Sequence, residues 1–196
     1  MHVVRIARLT AALAFAALVA ACAHPIGIGP LETPVRNEAG LSARKAAYVM
    51  TDADRAREVV TPGGGGDKIS YFPYRDLEKA IRDALRAVYS DVFVVSAAND
   101  AKAINELGAS IVYTPNIITT SSSPSIFTWP PTEFGIELSC AVADAAGQAL
   151  APLKVQAKGT AEFAEFKSDF GLAGRRAASQ LSEQLKQAVL ARPDLR

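Results

Sequence analysis

Two stretches in the second half of the chain alternate between apolar and polar residues. In the first, residues 133–144, the positions that share one face are Phe134, Ile136, Leu138, Cys140 and Val142. In the second, residues 153–163, they are Leu153, Val155, Ala157, Ala161 and Phe163. Successive side chains of a β-strand point to opposite faces, so the pattern predicts an antiparallel hairpin with one buried and one wet face. Gly147 marks its turn, and Cys140 is expected to be a small apolar core residue.

Two other stretches repeat apolar residues every three or four positions, which is the spacing of an amphipathic helix. The first covers residues 77–88 and the second covers about 170–190. Shorter patterns predict the remaining elements. These are a strand or strand pair over 45–60, strands at 69–72 and 92–95, a short helix that is capped by Asn99 or Asp100 and stops at Gly108, and a strand from 111.

The order of these elements predicts an α+β fold. We expect a mostly antiparallel sheet with two longer helices on one face, which makes a two-layer sandwich. Residues 44–196 have the length of a single domain.

The N-terminus has the layout of an export signal. Arg5 and Arg8 precede an uncharged run of about 15 residues, whereas a membrane-spanning helix needs roughly 20. The run leads into Val19, two alanines and Cys22, which is the arrangement of a bacterial lipobox. We therefore predict a signal peptide over 1–21 and lipidation of Cys22. An uncut signal anchor and an ordinary signal peptide with a coincidental cysteine are the alternatives.

The residues after Cys22 indicate which membrane would hold the protein and how far the domain could lie from that membrane. Ala23 and His24 include no aspartate, and aspartate there is the inner-membrane retention signal of enteric-type lipoproteins. The sequence therefore favours the periplasmic face of the outer membrane. Residues 22–43 are rich in proline and glycine without a regular period, so they are interpreted as the lipidated N-terminus and a flexible tether. Fully extended, such a tether would reach on the order of 65 Å.

A run of four glycines, residues 63–66, needs an interpretation of its own. Its spacing to Lys68 fits neither a P-loop nor a dinucleotide fingerprint. A flexible hairpin loop is the favoured interpretation, and an interaction loop is the alternative.

Composition narrows the function classes. Without the first 21 residues, the chain has 19 basic and 20 acidic residues, which gives no basic footprint for nucleic acid. The only histidines are His2 and His24, so the domain has no histidine for a catalytic triad or a zinc site. Carboxylate pairs such as Asp52 and Asp54 are expected at solvent-exposed positions, so their presence does not indicate a catalytic acid and base. We therefore expect no enzymatic activity, no metal and no cofactor.

The loop over residues 119–132 contains the apolar residues Ile126, Phe127 and Trp129, the last being the only tryptophan. Large apolar side chains are costly to leave in water. They are expected either to fold back over the core or to dock onto a partner or ligand, and folding back is favoured.

At this point the chain resembles small bacterial periplasmic lipoproteins, namely the YajG-like lipoproteins and the N-terminal domain of the Tol-Pal translocation protein. The resemblance depends on the lipobox at Cys22, the helix at 76–89 with the strand at 92–95, and the hairpin and last helix over 133–190. The resemblance implies a cellular location and a fold, and it implies no particular reaction.

These observations lead to one main functional hypothesis, a non-enzymatic lipoprotein that faces the periplasm. It would be held to the membrane by lipid on Cys22, and it would serve as a structural or assembly accessory that binds another envelope protein. The alternative is a carrier of a lipid, glycan or other apolar ligand. A carrier would need an internal cavity of about 300 Å³ or more beneath the loop that contains Phe127 and Trp129.

Overall fold

The computed structural model describes residues 23–166 and 168–196. The predicted signal peptide and Cys22 lie outside these ranges. The described residues form eight strands, which are β1 His24–Pro25, β2 Ser42–Val49, β3 Val59–Pro62, β4 Lys68–Tyr71, β5 Tyr89–Val95, β6 Ile111–Ser122, β7 Glu133–Asp144 and β8 Ala149–Thr160. They also form four α-helices, which are α1 Asp52–Arg55, α2 Pro73–Arg86, α3 Ala101–Leu107 and α4 Leu172–Leu190. Short 3₁₀ turns cover Glu38–Gly40, Phe163–Glu165 and Pro193–Leu195.

The main sheet has five strands in the order β5-β2-β6-β7-β8. The predicted hairpin is confirmed, since β7 pairs antiparallel with β8 and the five alternating apolar side chains of β7 are all buried. Strands β6 and β7 are also antiparallel, but β2 runs parallel to both β5 and β6. The chain leaves β5 through α3 and enters β6 in the same direction, so β5 and β6 run parallel to each other on either side of β2.

Both long helices pack on one face of this sheet, which confirms the α+β sandwich. Helix α4 approaches β8 so closely that a Cβ atom at Gly159 would lie 2.0 Å from the carbonyl oxygen of Ala173. Ser182 of α4 donates its hydroxyl hydrogen to the carbonyl oxygen of Ala80 in α2 at 2.7 Å. The short helix α3 lies on the opposite face, where Ile104 packs with buried residues of β2, β5 and β6. The described residues include no helix of the length and hydropathy that a bilayer crossing needs.

Helix caps explain several boundaries. The side chain of Asp100 accepts a hydrogen bond from the backbone N–H of Ala103 at 3.0 Å, and Gly108 ends α3 with a φ of 67°. These are the predicted cap and stop. The charged interruption in the 45–60 region is the short helix α1, which begins with a capping box between Thr51 and Asp54.

The structure corrects two predicted boundaries. The loop predicted from 119 begins only after Ser122, because the hydroxyls of Thr119 and Ser121 face inward and bond to Tyr71 and Thr61. Strand β8 ends at Thr160, and Phe163 lies on a 3₁₀ turn with 69% of its side chain exposed rather than on a buried face.

The tether interpretation is wrong for the first part of residues 22–43. Strand β1 pairs parallel with β4, and the order β1-β4-β3 makes a second, three-stranded sheet. Ile26 and Ile28 belong to the main hydrophobic core, and the backbone N–H of Ile26 donates to the carbonyl oxygen of Ser70 at 2.9 Å. Burial of the two isoleucines fixes this segment on the domain, although its proline and glycine content is typical of a linker.

Candidate functional site

Exposed apolar side chains are concentrated at the end of the sheet where β6 leads into β7. They come from two segments, the β6–β7 loop and the turn that precedes α4. We name this group the aromatic surface. It comprises the exposed side chains of Ile126, Phe127, Phe163 and Phe170 together with the partly buried ring of Trp129. Phe127 is 90% exposed and Ile126 is 75% exposed. Large exposed apolar patches typically mark interaction sites.

The three apolar residues that the sequence singled out have different environments. Trp129 folds back and packs against the core, as the favoured interpretation expected, whereas Ile126 and Phe127 point into solvent. The indole ring stacks on the imidazole of His24, with ring centroids 4.2 Å apart and an interplanar angle of 21°. On its other flank lies Phe170, at 4.7 Å. Through Trp129, the aromatic surface is thus in contact with His24, near the start of the described chain.

The glycine run forms the support of the β6–β7 loop. The backbone N–H of Gly64 donates to the carbonyl oxygen of Trp129 at 2.8 Å, and that of Gly65 donates to Ser125 at 3.0 Å. A Cβ atom at Gly64 would lie 1.7 Å from the carbonyl oxygen of Thr128. The favoured prediction of a hairpin loop is correct in position, since the run connects β3 to β4. Its glycines, however, allow two backbones to approach closely, rather than provide flexibility.

Ion pairs hold the segment that contributes Phe163 and Phe170. The guanidinium of Arg176 lies 2.6 Å from the carboxylate of Glu165 and also donates to the carbonyl oxygen of Thr160. The bond from Arg176, together with the backbone N–H of Glu162, lowers the pKa of Glu165 to about 2. Arg175 pairs with Asp169 at 2.7 Å, next to Phe170. Phe163 and Phe170 are therefore presented in a fixed position.

The segment between His24 and Gly29 is tightly enclosed. A Cβ atom at Gly171 would lie 2.0 Å from the carbonyl oxygen of Gly27, and one at Gly174 would lie 2.5 Å from the side chain of Ile28. The imidazole of His24 also lies 3.8 Å from the carboxylate of Asp67, in the β3–β4 hairpin. The start of the described chain is therefore fixed against the same elements that support the aromatic surface.

A second candidate surface is the face of β6, β7 and β8 that points away from the long helices. Cross-strand rows run through Ser122, Glu133 and Thr160, through Thr120, Gly135 and Lys158, and through Ile118, Glu137 and Gln156. We name these nine residues the open sheet face. It contains a depression of about 400 Å³, which continues into one of about 200 Å³. A Cβ atom at Gly135 would lie 2.6 Å from the hydroxyl oxygen of Thr120, so a side chain there would displace that hydroxyl.

Two chemically reactive side chains away from these surfaces, Glu78 and Cys140, have structural surroundings. The carboxylate of Glu78 accepts hydrogen bonds from Arg55 and from the hydroxyl of Tyr48, and the bond from Arg55 lowers its pKa. Cys140 lies in the core as predicted, and burial raises the pKa of its thiol to about 12. Such a thiol is inert at neutral pH. Across residues 23–166 and 168–196, histidine, cysteine and carboxylate side chains form no cluster of three or more that could hold a metal.

Comparison with known proteins finds similarity at the level of solved structures. The chain is similar to a Xanthomonas campestris protein of the family DUF330, with 10% identity, a TM-score of 0.49, and coverage of 83% of this chain and 89% of that one. It is also similar to PelC from Paraburkholderia phytofirmans, crystallised as a dodecamer, with 11% identity, a TM-score of 0.41, and coverage of 78% and 92%.

A third similar structure is a candidate lipoprotein from Caulobacter crescentus, with 12% identity, a TM-score of 0.37, and coverage of 76% of this chain and 89% of that one. No protein-family model and no curated protein matches the chain. Identities this low transfer no function from these structures to this chain.

Proposed function

We propose that this chain is a non-enzymatic lipoprotein that is anchored by lipid on Cys22 and faces the periplasm from the outer membrane. In this proposal it serves as an accessory that binds another envelope protein. The observation that carries the binding role is the open sheet face, a broad surface on three strands of twelve residues each. Strands β6 and β7 pair in continuous register, and β7 and β8 do so from Glu133 to Cys140. Such pairing gives a rigid platform that loses little conformational entropy on binding.

The composition of the open sheet face suits a protein partner. The side chain of Ile118, which is 53% exposed, lies opposite Glu137 in the sheet, and Thr120 and Gln156 border the same depression. The amide of Gln156 donates to the carboxylate of Glu137 at 3.0 Å, so part of the charge is already compensated. Non-obligate protein interfaces have this mixed apolar and polar character. The outer sides of α2 and α4, by contrast, carry the ion pairs Lys79–Asp83 and Lys186–Glu183.

The position of the depression also favours an envelope partner. The depression extends to the row of Ser122, Glu133 and Thr160, next to the β6–β7 loop. Trp129 of that loop stacks on His24 in the N-terminal segment. A protein bound there would lie close to the anchoring point at Cys22. This geometry suits a partner that is itself at the membrane.

The carrier alternative receives less support from the geometry. The groove between the loop and the turn before α4, lined by Phe127, Trp129, Phe166 and other residues, has a volume of about 240 Å³ and opens to solvent. Small-molecule sites usually have roughly 300–1,000 Å³ and enclose most of their ligand. A carrier would have to widen this groove, whereas a surface partner needs no rearrangement.

The proposal is tested with a photo-crosslinking amino acid placed at Thr120, in the native bacterium. In two control variants the same amino acid replaces Phe127 on the aromatic surface or the exposed residue Lys102 of α3. We expect one light-dependent protein adduct at Thr120, and none at Lys102. Lys158→Glu should reduce that adduct by at least about tenfold, because a reversed charge in an interface costs more than 1.4 kcal/mol.

Two outcomes would contradict the proposal. One is the lack of a protein adduct at Thr120 although the chain is correctly located. The other is a protein adduct at Phe127 alone, which would move the partner to the aromatic surface. Lys158 is exposed, so an unchanged melting temperature of the Lys158→Glu variant controls for folding.

A further inference from the structure

We infer that the aromatic surface docks onto the lipid bilayer that holds the acyl chains of Cys22, so that the domain lies on the membrane instead of standing away from it. The inference depends on the acylation of Cys22, which is part of the proposed function. It goes beyond that function by assigning an occupant to the exposed side chains of Ile126, Phe127, Phe163 and Phe170.

The first argument is the length of chain between the lipid and the aromatic surface. His24 is two residues from Cys22, so their Cα atoms are at most about 7 Å apart. The imidazole of His24 stacks directly on Trp129. Interfacial protein segments bury their apolar side chains by about 5–10 Å. A lipid inserted at Cys22 therefore brings the aromatic surface within insertion distance of the membrane.

The second argument is that the connection has no slack. The N-terminal segment pairs with β4 from His24 onward, and the side chains of Ile26 and Ile28 are buried. Gly27 is in contact with Gly171, at the start of α4. A freely jointed tether would let the domain turn in any direction. A segment fixed from its second residue after the anchor instead holds one side of the domain at the membrane.

The third argument is chemical. Segments that lie on a membrane surface insert phenylalanine and other apolar side chains into the boundary between headgroups and acyl chains. Phe127 and Phe163 are 90% and 69% exposed, and a fixed backbone presents both. The neighbouring carboxylates of Glu165 and Asp169 are paired with arginines, which limits their repulsion from anionic lipids. Because the anchor raises the local concentration of bilayer, a small apolar patch is enough for docking.

The test uses the acylated chain, with its N-terminal mass confirmed, in vesicles of phosphatidylethanolamine and phosphatidylglycerol. Trp129 is the only tryptophan, so its fluorescence reports this surface alone. Lipids with a nitroxide near the headgroup should quench Trp129 at least about twofold, since interfacial rings lie at that depth. Phe127→Ser, which removes an exposed side chain without opening the core, should reduce the quenching. A matched reporter, Trp129→Phe with Lys102→Trp on α3, should respond only to aqueous iodide.

The result that would overturn the inference is a correctly acylated protein in which iodide, but not the nitroxide lipid, quenches Trp129. Equal lipid quenching of the tryptophans at positions 129 and 102 would also overturn it, because the domain would then have no preferred side. A light-dependent protein adduct at Phe127 without lipid quenching would assign the surface to a protein. An unmodified N-terminal mass, in contrast, would refute the anchor itself, and so the proposed function.

Discussion

Two buried tyrosine hydroxyls and a C-terminal carbonyl form a chain of hydrogen bonds. The hydroxyl of Tyr89 donates to the carbonyl oxygen of Leu195 at 2.7 Å and lies 2.6 Å from the hydroxyl of Tyr113. Tyr89 has one hydroxyl proton, so Tyr113 must be the donor between the two tyrosines. Burial raises the pKa of Tyr89 to about 12 and also raises that of Tyr113, and both hydroxyls therefore remain protonated at neutral pH.

This order of donors makes the two tyrosines unequal. Tyr89→Phe leaves both the Tyr113 hydroxyl and the Leu195 carbonyl unpaired, and we expect a loss of about 2–3 kcal/mol of unfolding free energy. Tyr113→Phe keeps the bond to Leu195 and should cost only about 1 kcal/mol. Urea denaturation of both variants measures the difference. Equal losses would contradict the assigned direction of donation.

The contact between the glycine hairpin and the β6–β7 loop is the main determinant of the aromatic surface at the scale of elements. A side chain at Gly64 would overlap the carbonyl of Thr128, and neither backbone can move without breaking the bond between Gly64 and Trp129. Contacts with the β3–β4 hairpin therefore fix the β6–β7 loop, in addition to the loop's own residues.

We expect Gly64→Ala to lower the unfolding free energy by about 1–3 kcal/mol, which is the usual cost of an overpacked contact. Displacement of the loop should also shift the emission of Trp129 to the red, as the indole gains contact with water. Gly27→Ala is the matched control, because nothing lies within 4 Å of its Cβ position. Similar behaviour of the two variants would show that the close approach at Gly64 has no structural role.

The ion pair between Glu165 and Arg176 makes the turn before α4 sensitive to acid. The pKa of Glu165 in the folded state, about 2, lies below the ordinary value of 4.5. The ionised carboxylate therefore stabilises the folded state above pH 4.5, and this contribution is lost as the pH falls towards 2. We expect the difference in unfolding free energy between the wild type and Glu165→Gln to shrink over this pH range.

Denaturant titrations at pH 6, 4 and 2.5 measure that difference. Because other carboxylates titrate equally in both proteins, the comparison isolates Glu165 from the general effect of acid. A difference that stays constant with pH would contradict the lowered pKa of Glu165.

At the scale of the whole molecule, the proposed anchor at Cys22 would decide where both surfaces can act. We expect the membrane fraction of a lipoprotein-processing bacterium to yield an N-terminal peptide that begins at acylated Cys22, and Cys22→Ala to lose it. Mass spectrometry detects the peptide, and a density gradient separates outer from inner membrane. An uncut or unmodified N-terminus in the wild-type protein would contradict the anchoring proposal.

Predictions from the sequence were most reliable for features that depend on residues close together in the chain. The buried face of β7, the burial of Cys140, the long helices and the cap at Asp100 were all predictable, because side-chain direction repeats every two or 3.6 residues. The polar end of β6 was missed. Its hydroxyls look like those of a loop until Tyr71, from another sheet, supplies a partner for Thr119.

The candidate site was only partly predictable. Ile126, Phe127 and Trp129 could be identified because apolar residues in a polar loop are conspicuous. Phe163 was assigned to a buried face, and Phe170 was seen only as the start of a helix. Phe163 is in phase with the buried positions Leu153 and Ala161, and only the structure shows that pairing with β7 ends at Thr160. Nothing local indicated that either ring would meet Trp129.

By itself, the sequence determined the α+β class and the elements with a clear period, and it is also the source of the prediction of an export signal that ends at Cys22. Those features depend on the chemistry of neighbouring residues, so they can be derived along the chain. Only the tertiary structure decided that residues 24–29 pack on the domain, that Gly63, Gly64 and Gly65 lie against a distant loop, and that apolar side chains of two segments share one surface. Such contacts join residues far apart in sequence. The order of strands and the close packing of backbones fix them, and no local pattern encodes either property.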